Sequence, residues 1–259
     1  MNGKPDVEID LKQCIGCNKC VEDCPEKNIY LEKKKARIKK AVCLKCGHCV
    51  AICPQNAVSI PEYDADEIIP VTKEDKLDPD RLLKVIQAGR SIRSFKDKPI
   101  EIEKIKQIIE AGRYTATASN SQDVSYVVIT KKNKELEQEA VKLMRNLQKP
   151  LGMIIPIVRT VTVDDNFFFK KAPAVIVILS RNKVDGALAA SNMELMAEAL
   201  GLGTFYSGFF SAAVNISSKL RKLLNLKRGQ KVVTTLVLGY SDVTYQRTAP
   251  RKKASVKYE

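Results

Sequence analysis

The sequence predicts an α+β protein of two domains: a small one of about 60 residues organised by cysteines, then a larger one mixing helices and strands. Three observations predict it. All eight cysteines fall in two identical runs within the first 53 residues. An acidic, proline-bearing stretch follows at residues 61–80. Beyond it, apolar patterns of helical and strand period recur to the end of the chain.

The cysteine runs come first. Cys14, Cys17, Cys20 and Cys24 are followed by Pro25, and Cys43, Cys46, Cys49 and Cys53 by Pro54, with an offset of 29 residues. This C-x2-C-x2-C-x3-C-P spacing is that of two-cluster iron–sulfur proteins. Three cysteines at i, i+3 and i+6 wrap one cubane, and the fourth is carried by its turn to the other cluster. One predicted ligand set is therefore Cys14, Cys17, Cys20 and Cys53, and the other is Cys43, Cys46, Cys49 and Cys24. Structural zinc prefers two separated cysteine pairs, which two complete four-cysteine runs fit poorly. About 60 residues bury little core without such crossing ligation.

Gly16 and Gly47 are read as matching positions of the two runs, where glycine lets backbone N–H groups approach the sulfurs. His48, the only histidine, is predicted to face solvent, since the ligand count is complete without it. Ile29–Ile38 reads as a hairpin joining the runs, with Lys33, Lys34 and Lys35 as a solvated turn.

Charge divides the chain. The net charge is +14 overall, but residues 61–80 carry 8 acidic and 2 basic groups against 15 and 31 in residues 81–259. The expected organisation is residues 1–60, a linker over 61–80, and residues 81–259. Pro61, Pro70 and Pro79 predict an extended, stiffened linker. No run of 18 apolar residues occurs, and Met1–Asp10 is polar, so neither a membrane span nor a secretory signal is expected. The predicted location is cytoplasmic, where eight cysteines point to metal rather than disulfides. Aromatic residues make up 6% and basic residues are dispersed, which argues against stacking platforms for nucleic acid.

In the second domain, Asp78-Pro79 reads as an N-cap and first helical residue for a helix to Ala88, closed by Gly89. Arg90, Ser91 and Arg93 after it suit an anion such as a phosphate. A helix over Ile102–Ala111 is expected to end at Gly112. The Tyr114–Gln122 loop is dense in hydroxyls and amides. A strand follows at Ser125–Thr130, a helix at Glu135–Gln148, a buried strand at Ala174–Ser180 and a helix at Val184–Leu200, where Met193 and Met196 read as core. Thr204–Phe209 reads as a short strand and turn, Ser217–Leu224 as a helix and Lys231–Gly239 as a strand. Leu151–Lys171, with Phe167, Phe168 and Phe169, is expected to form a helical lid, the alternative being a buried aromatic cluster. Tyr240–Glu259 reads as an arm.

These residues carry two resemblances. The first 60 positions resemble bacterial two-[4Fe–4S] ferredoxins. Residues 80–259 resemble the nitroreductase family through the ordered series Arg-Ser-Ile-Arg-x-Phe, Tyr114 to Asn120-x-Gln122, Gly201-Leu202-Gly203-Thr204, Ser207-Gly208-Phe209, a final strand ending Leu-Gly-Tyr, and an Arg-Lys tail. The resemblance implies a mixed sheet flanked by helices, FMN as cofactor, and a homodimer sharing two FMN sites. It implies that Arg90, Ser91 and Arg93 hold the FMN phosphate, with Arg251 and Lys253 from the tail. It implies that Asn120, with Thr117 and Ser119, reaches the flavin from the partner subunit, and that the backbone of Tyr206, Ser207 and Gly208 faces the N5/O4 edge. Three positions depart from the family: Gly89 where a basic residue is frequent, Ala116 for proline, and Asp123-Val124 for Pro-Trp.

The function implied is a flavin oxidoreductase that takes single electrons through two [4Fe–4S] clusters and reduces a small organic substrate such as a nitroaromatic or quinone. The alternative is an electron-transfer or redox-sensing module without substrate turnover. No Gly-x-Gly-x-x-Gly is present, so a nicotinamide-binding Rossmann domain is not expected. A protein donor (ferredoxin or flavodoxin) and NAD(P)H both remain as electron sources. No side-chain acid or base stands out, so no catalytic residue is assigned.

Overall fold

A computed structural model describes residues 6–39, 43–154 and 160–259. The chain forms two compact units. The first runs to Lys76 and also takes Thr117–Ser121; the second comprises Leu77–Ala116 and Gln122–Glu259. The segment 117–121 is thus an exception to the continuous second domain expected from the sequence.

The first unit is built twice over. Strand β1 (Glu8–Ile9), helix α1 (Lys19–Glu22), strands β2 (Ile29–Glu32) and β3 (Lys35–Ile38), helix α2 (His48–Ala51) and strand β4 (Val58–Ser59) follow in order. β2 and β3 form the expected hairpin, turned by Lys33 and Lys34 in the left-handed region. β1 pairs antiparallel with β4, a match of two residues per strand that is too short for a sequence signal. The 29-residue offset recurs in the backbone. Left-handed φ values pair Gly16 with Lys45, Asn18 with Gly47, and Lys27 with Asn56. Asp10 N–H donates to the Ala57 carbonyl at 2.8 Å, and Lys39 N–H to the Asn28 carbonyl at 2.8 Å.

That pairing corrects one expectation: Gly16 and Gly47 are not equivalent. Gly47 caps α2 at φ 77°, as Asn18 caps α1 at φ 69°. Gly16 has φ +68°, and a Cβ there would lie 2.1 Å from the Lys34 carbonyl oxygen. Glycine is required by both conformation and space. Residues 61–78 are exposed, with one short 3-10 turn at Ala65–Glu67.

The second unit centres on an antiparallel sheet of order β5-β6-β8-β7: Ser125–Ile129, Ala174–Leu179, Val232–Gly239 and Gly203–Tyr206. Parallel pairing enters the described residues only as a single bridge, Ser91 to Thr204, so the sheet is mixed only at that margin. β6 reads Ala-Val-Ile-Val-Ile-Leu and is buried along its whole length. Its alternate residues enter opposite cores. Val175, Val177 and Leu179 join Leu136, Phe168, Phe169, Phe210 and Leu220 on one face; Ala174, Ile176 and Ile178 join Ile105, Ile108 and Met193 on the other. Helices therefore cover both faces: α5 (Asn133–Ile154), α7 (Gly208–Ile216) and α8 (Ser218–Leu223) supply the first core, α4 (Ile102–Arg113) and α6 (Lys183–Ala199) the second. Burying such a strand on both sides stabilises each large side chain by roughly 1.5–3 kcal/mol.

Helix α3 (Pro79–Ala88) starts as the sequence predicts, with the Asp78 carboxylate accepting from Arg81 N–H at 2.7 Å. Gly89 closes it with an extended φ of −52° rather than a left-handed one. Gly112 does not end α4. It sits buried inside the helix, where a Cβ would come within 2.5 Å of Tyr126 Oη and 2.9 Å of Met193 Sδ; the glycine serves close packing of α4 on α6. Helix α7 was not expected. Gly-Phe-Phe-Ser-Ala-Ala-Val is apolar on nearly all sides, so it carries little periodic signal.

The helical lid over 151–171 is also corrected. α5 continues to Ile154, residues 155–159 lie outside the described set, and residues 160–171 contain no α-helix. Phe168 and Phe169 are fully buried, with ring centroids 5.9 and 4.6 Å from Phe210. The aromatic cluster is therefore core, and Glu137, itself buried, accepts from the N–H groups of Phe168 and Phe169, each at 2.7 Å. Tyr240–Glu259 forms no helix or strand and is largely exposed.

Candidate functional site

In the first unit the eight cysteines gather as two crossed sets. One cavity is lined by Cys14, Cys17, Cys20 and Cys53, with Ile15, Leu31, Ala36 and Val58 around them. The other is lined by Cys24, Cys43, Cys46 and Cys49, with Val7, Ile29 and Ile60. Each set takes its fourth member from the other run. Backbone N–H groups point at the sulfurs in matched fashion: Asn28 N donates to Cys24 Sγ and Ala57 N to Cys53 Sγ, both at 3.3 Å. Ala36 N donates to Cys14 Sγ and Lys45 N to Cys43 Sγ, both at 3.4 Å.

N–H donors of this kind tune the potential of a cluster whose iron the sulfurs hold. Burial, and then the neighbouring Cys43 and Cys46, pushes the Cys49 thiol up to about 11. Burial followed by Cys17 and Cys14 raises Cys20. Buried thiols such as these two resist ionisation unless cationic iron sits beside them. The residues therefore fit two [4Fe–4S] clusters, one per crossed set. His48 is exposed on α2 beside the second set. Lys35 is not merely solvated: its Nζ donates to the Cys14 carbonyl.

In the second unit the anion-type residues lie beside β7. Ile92 N–H donates to the Thr204 carbonyl at 2.8 Å, and Ser91 bridges Thr204. This lays residues 90–93 alongside the strand that ends at Tyr206. Arg93 is exposed, its guanidinium carbon 5.8 Å from the centroid of the Phe205 ring. Arg90 is half-buried. Its Nη1 donates to the Gly89 carbonyl at 2.5 Å, while Nη2 is buried with no partner. A buried guanidinium N–H without an acceptor costs roughly 1–3 kcal/mol or more, which an anion bound there removes.

Ser207 is buried, and its N–H donates to the Thr235 carbonyl at 2.8 Å. Gly208 opens α7 with nothing within 4 Å of where a Cβ would stand, and the next residue, Phe209, is 56% exposed. Tyr206 turns its hydroxyl away to Glu194 Oε2 at 2.9 Å and the Ala190 carbonyl at 3.1 Å. Burial and then the Glu194 carboxylate hold that phenol well above the ordinary range, so it stays neutral. The structure thus lays Arg90, Ser91 and Arg93 beside β7, the strand that leads into Ser207 and Gly208.

The remaining predicted residues are Thr117, Ser119, Asn120, Arg251 and Lys253. Thr117, Ser119 and Asn120 belong to the segment that groups with the first unit. The Asn120 amide donates to the carbonyls of Leu44 and Lys45, each at 2.9 Å. Arg251 and Lys253 are exposed in the tail. Asp123, a departure from the family pattern, has a role that sequence reasoning missed. Burial would raise its carboxyl, but donors from Arg181 N, Arg181 Nε and Ser180 Oγ at 2.9–3.0 Å lower it below the usual range. It ties the end of β6 to the start of β5. No signal in the sequence links residues 57 positions apart.

Comparison with known proteins follows the same division. A 4Fe–4S dicluster domain matches residues 6–54, and the nitroreductase family matches residues 86–240. The NADPH-flavin oxidoreductase of Vibrio harveyi is 30% identical over 164 residues, covering 62% of this chain and 65% of that protein. A protein of Archaeoglobus fulgidus that carries the provisional name NADH dehydrogenase/NAD(P)H nitroreductase is 26% identical over 168 residues, covering 61% and 84%. Among solved structures, an FMN-bound nitroreductase from Bacteroides fragilis superposes with a TM-score of 0.57 at 18% identity, over 68% of this chain and 98% of that one. One from Desulfitobacterium hafniense, also with FMN, gives 0.54 at 20% identity, over 70% and 100%. Among the described residues no helix is long and apolar enough to cross a membrane. With more than half its length matched by one family and a dicluster domain ahead of that match, the chain belongs to the nitroreductase family.

Proposed function

We propose that this protein is an FMN-dependent oxidoreductase that takes in single electrons through its two [4Fe–4S] clusters and reduces a small organic substrate, such as a nitroaromatic or a quinone, at the flavin. The observation that carries the reading is the buried, unpartnered Nη2 of Arg90 beside β7, in a chain whose other unit gathers two crossed cysteine sets. Bound FMN supplies the exchange between one-electron and two-electron chemistry that the side chains lack.

The chain's own residues do the rest. Arg90 and Arg93, with Ser91, bind the phosphate, and the tail residues Arg251 and Lys253 add positive charge to that site. The Tyr206–Gly208 backbone lies at the isoalloxazine edge, where the N-terminus of α7 adds partial positive charge that favours the reduced, anionic ring. Thr117, Ser119 and Asn120 reach the flavin of the other subunit across the dimer. A dimer with two such sites is the expected assembly, and its setting is cytoplasmic.

The relatives are named for NADPH and NAD(P)H, and the clusters suit reduced ferredoxin or flavodoxin. The test is anaerobic purification followed by iron, sulfide and flavin analysis. Two cubanes and one FMN per chain are expected, with Arg90→Ala losing FMN but keeping iron. Purified protein without releasable FMN defeats the reading. Turnover of nitroaromatics or quinones no faster than with free FMN leaves an electron-transfer or redox-sensing module instead. Stopped-flow reduction by NADH, NADPH and reduced ferredoxin identifies the donor.

A further inference from the structure

The two halves of the first unit follow one plan, but their cysteine loops are held by different means. In the first half the hairpin does it locally. The Lys34 carbonyl presses against Gly16, Lys35 Nζ donates to the Cys14 carbonyl, and Ala36 N–H donates to Cys14 Sγ. The second run is followed by β4 and the linker, so no hairpin is available to its loop. There Asn120, 75 and 76 residues along the chain, holds two carbonyls of the loop, while Lys45 Nζ pairs with Asp6 and Glu62.

The site of that contact is specific. The Leu44–Lys45 peptide donates through Lys45 N–H to Cys43 Sγ at 3.4 Å, and its carbonyl accepts from Asn120 Nδ2 at 2.9 Å. A second carbonyl, that of Lys45, accepts from the same nitrogen at 2.9 Å. Two acceptors facing the amide leave it only one orientation, with both N–H groups engaged. Hydrogen bonds in series polarise one another. A donor to the Leu44 carbonyl therefore strengthens the N–H···S bond on the far side of the same peptide. The segment is also strained: Ser119, Asn120 and Gln122 have φ of 51°, 51° and 45°. Such values persist in non-glycine residues where surrounding contacts over-determine them.

We infer that Asn120 is a positioning residue of the second iron–sulfur site, which sets the reduction potential of the cluster held by Cys43, Cys46, Cys49 and Cys24 through the Leu44–Lys45 peptide. The inference rests on the iron–sulfur half of the proposed function and not on the flavin. Hydrogen bonds to ligand sulfur favour the reduced cluster, so removing Asn120 moves one potential downward. Lys35 acts on the other loop, so removing it moves the other.

The experiment is an anaerobic potentiometric titration of the full chain followed by EPR, on the wild type, Asn120→Ala, Lys35→Ala and the double variant. Asn120→Ala is expected to shift one reduction wave to more negative potential and leave the other in place. Lys35→Ala is expected to shift the wave that Asn120→Ala spares, and the double variant both. The inference is overturned if Asn120→Ala moves neither wave, moves both alike, or moves the wave that Lys35→Ala moves. Should Asn120→Ala fail to retain both clusters, Asn120→Leu keeps the approximate shape, removes both donors without adding charge, and is judged by the same criteria. Wild-type protein without two cubanes' worth of iron and sulfide overturns the iron–sulfur reading and this inference with it. Missing FMN leaves the titration fully decisive.

Discussion

Among the described residues, the apolar cluster of the first unit has nine buried members, three of them cysteines: Cys14, Cys20 and Cys49. The second unit buries nineteen on one face of its sheet and eleven on the other, none of them a cysteine. The difference is one of what closes the fold. A small body cannot remove enough apolar surface from water to offset the entropy of ordering its chain, and cross-linking through a cluster supplies the deficit. A strand such as β6, covered on both faces, needs no such help. The first unit should therefore depend on iron, and the second on packing.

Iron removal gives the largest expected effect. Anaerobic chelation should abolish hydrogen-exchange protection across residues 8–60 while β6 and β8 keep theirs. Equal loss in both units breaks the distinction. Next comes Phe210→Ala, which empties the site against Phe168 and Phe169 and should destabilise the second unit by about 3–5 kcal/mol. Its calorimetric transition should fall while the iron–sulfur absorbance below that transition is unchanged.

The third prediction concerns pH. Burial, opposed by the two amide donors, pushes the Glu137 carboxyl up to about 7 from an ordinary value of 4.5. A folded pKa above the unfolded one means the unfolded chain releases this proton first as pH rises. The stability contribution is full below about 4.5 and is lost as pH climbs through about 7. Denaturant unfolding of the second unit should weaken between those values by up to about 1.4 kcal/mol per pH unit, the slope for one proton. Glu137→Gln should flatten that slope, and an unchanged slope assigns the dependence to other groups.

The smallest effect tests the first unit's backbone. Gly16→Ala, against the Lys34 carbonyl at φ +68°, should cost at least roughly 1–2 kcal/mol from conformation alone. Lys45→Ala, at the equivalent left-handed position, should cost less because lysine already bears that strain. Unfolding of the iron-loaded protein measures both, and equal losses erase the asymmetry between the loops.

Much of this was legible beforehand, for identifiable reasons. The crossed cysteine sets follow from spacing. β6 and β8 announce themselves as runs of β-branched and aliphatic residues. The charge of the Arg90–Arg93 segment marks it as suited to an anion. The failures also have physical causes. α7 is too uniformly apolar to show a period, and Gly112 looks like a helix end because close packing and chain termination both favour glycine. Phe167–Phe169 resembles a lid because a run of aromatics does not reveal which side faces water; Phe168 packs inward against Phe210, 42 residues later. Asp123 and Asn120 carried no local sign of their partners at all.

By itself the sequence determined whatever depends on near neighbours: ligand spacing, the 29-residue repeat, the N-cap at Asp78, and the apolar strands. Side-chain type and short-range geometry suffice for these, because covalent connection already brings the groups together. Tertiary structure alone decided that the second cysteine loop is held by Asn120 while the first is held by its own hairpin. It also left Arg90 with a buried, unanswered N–H. Both depend on which distant backbone groups meet, and that is settled only when the chain has packed.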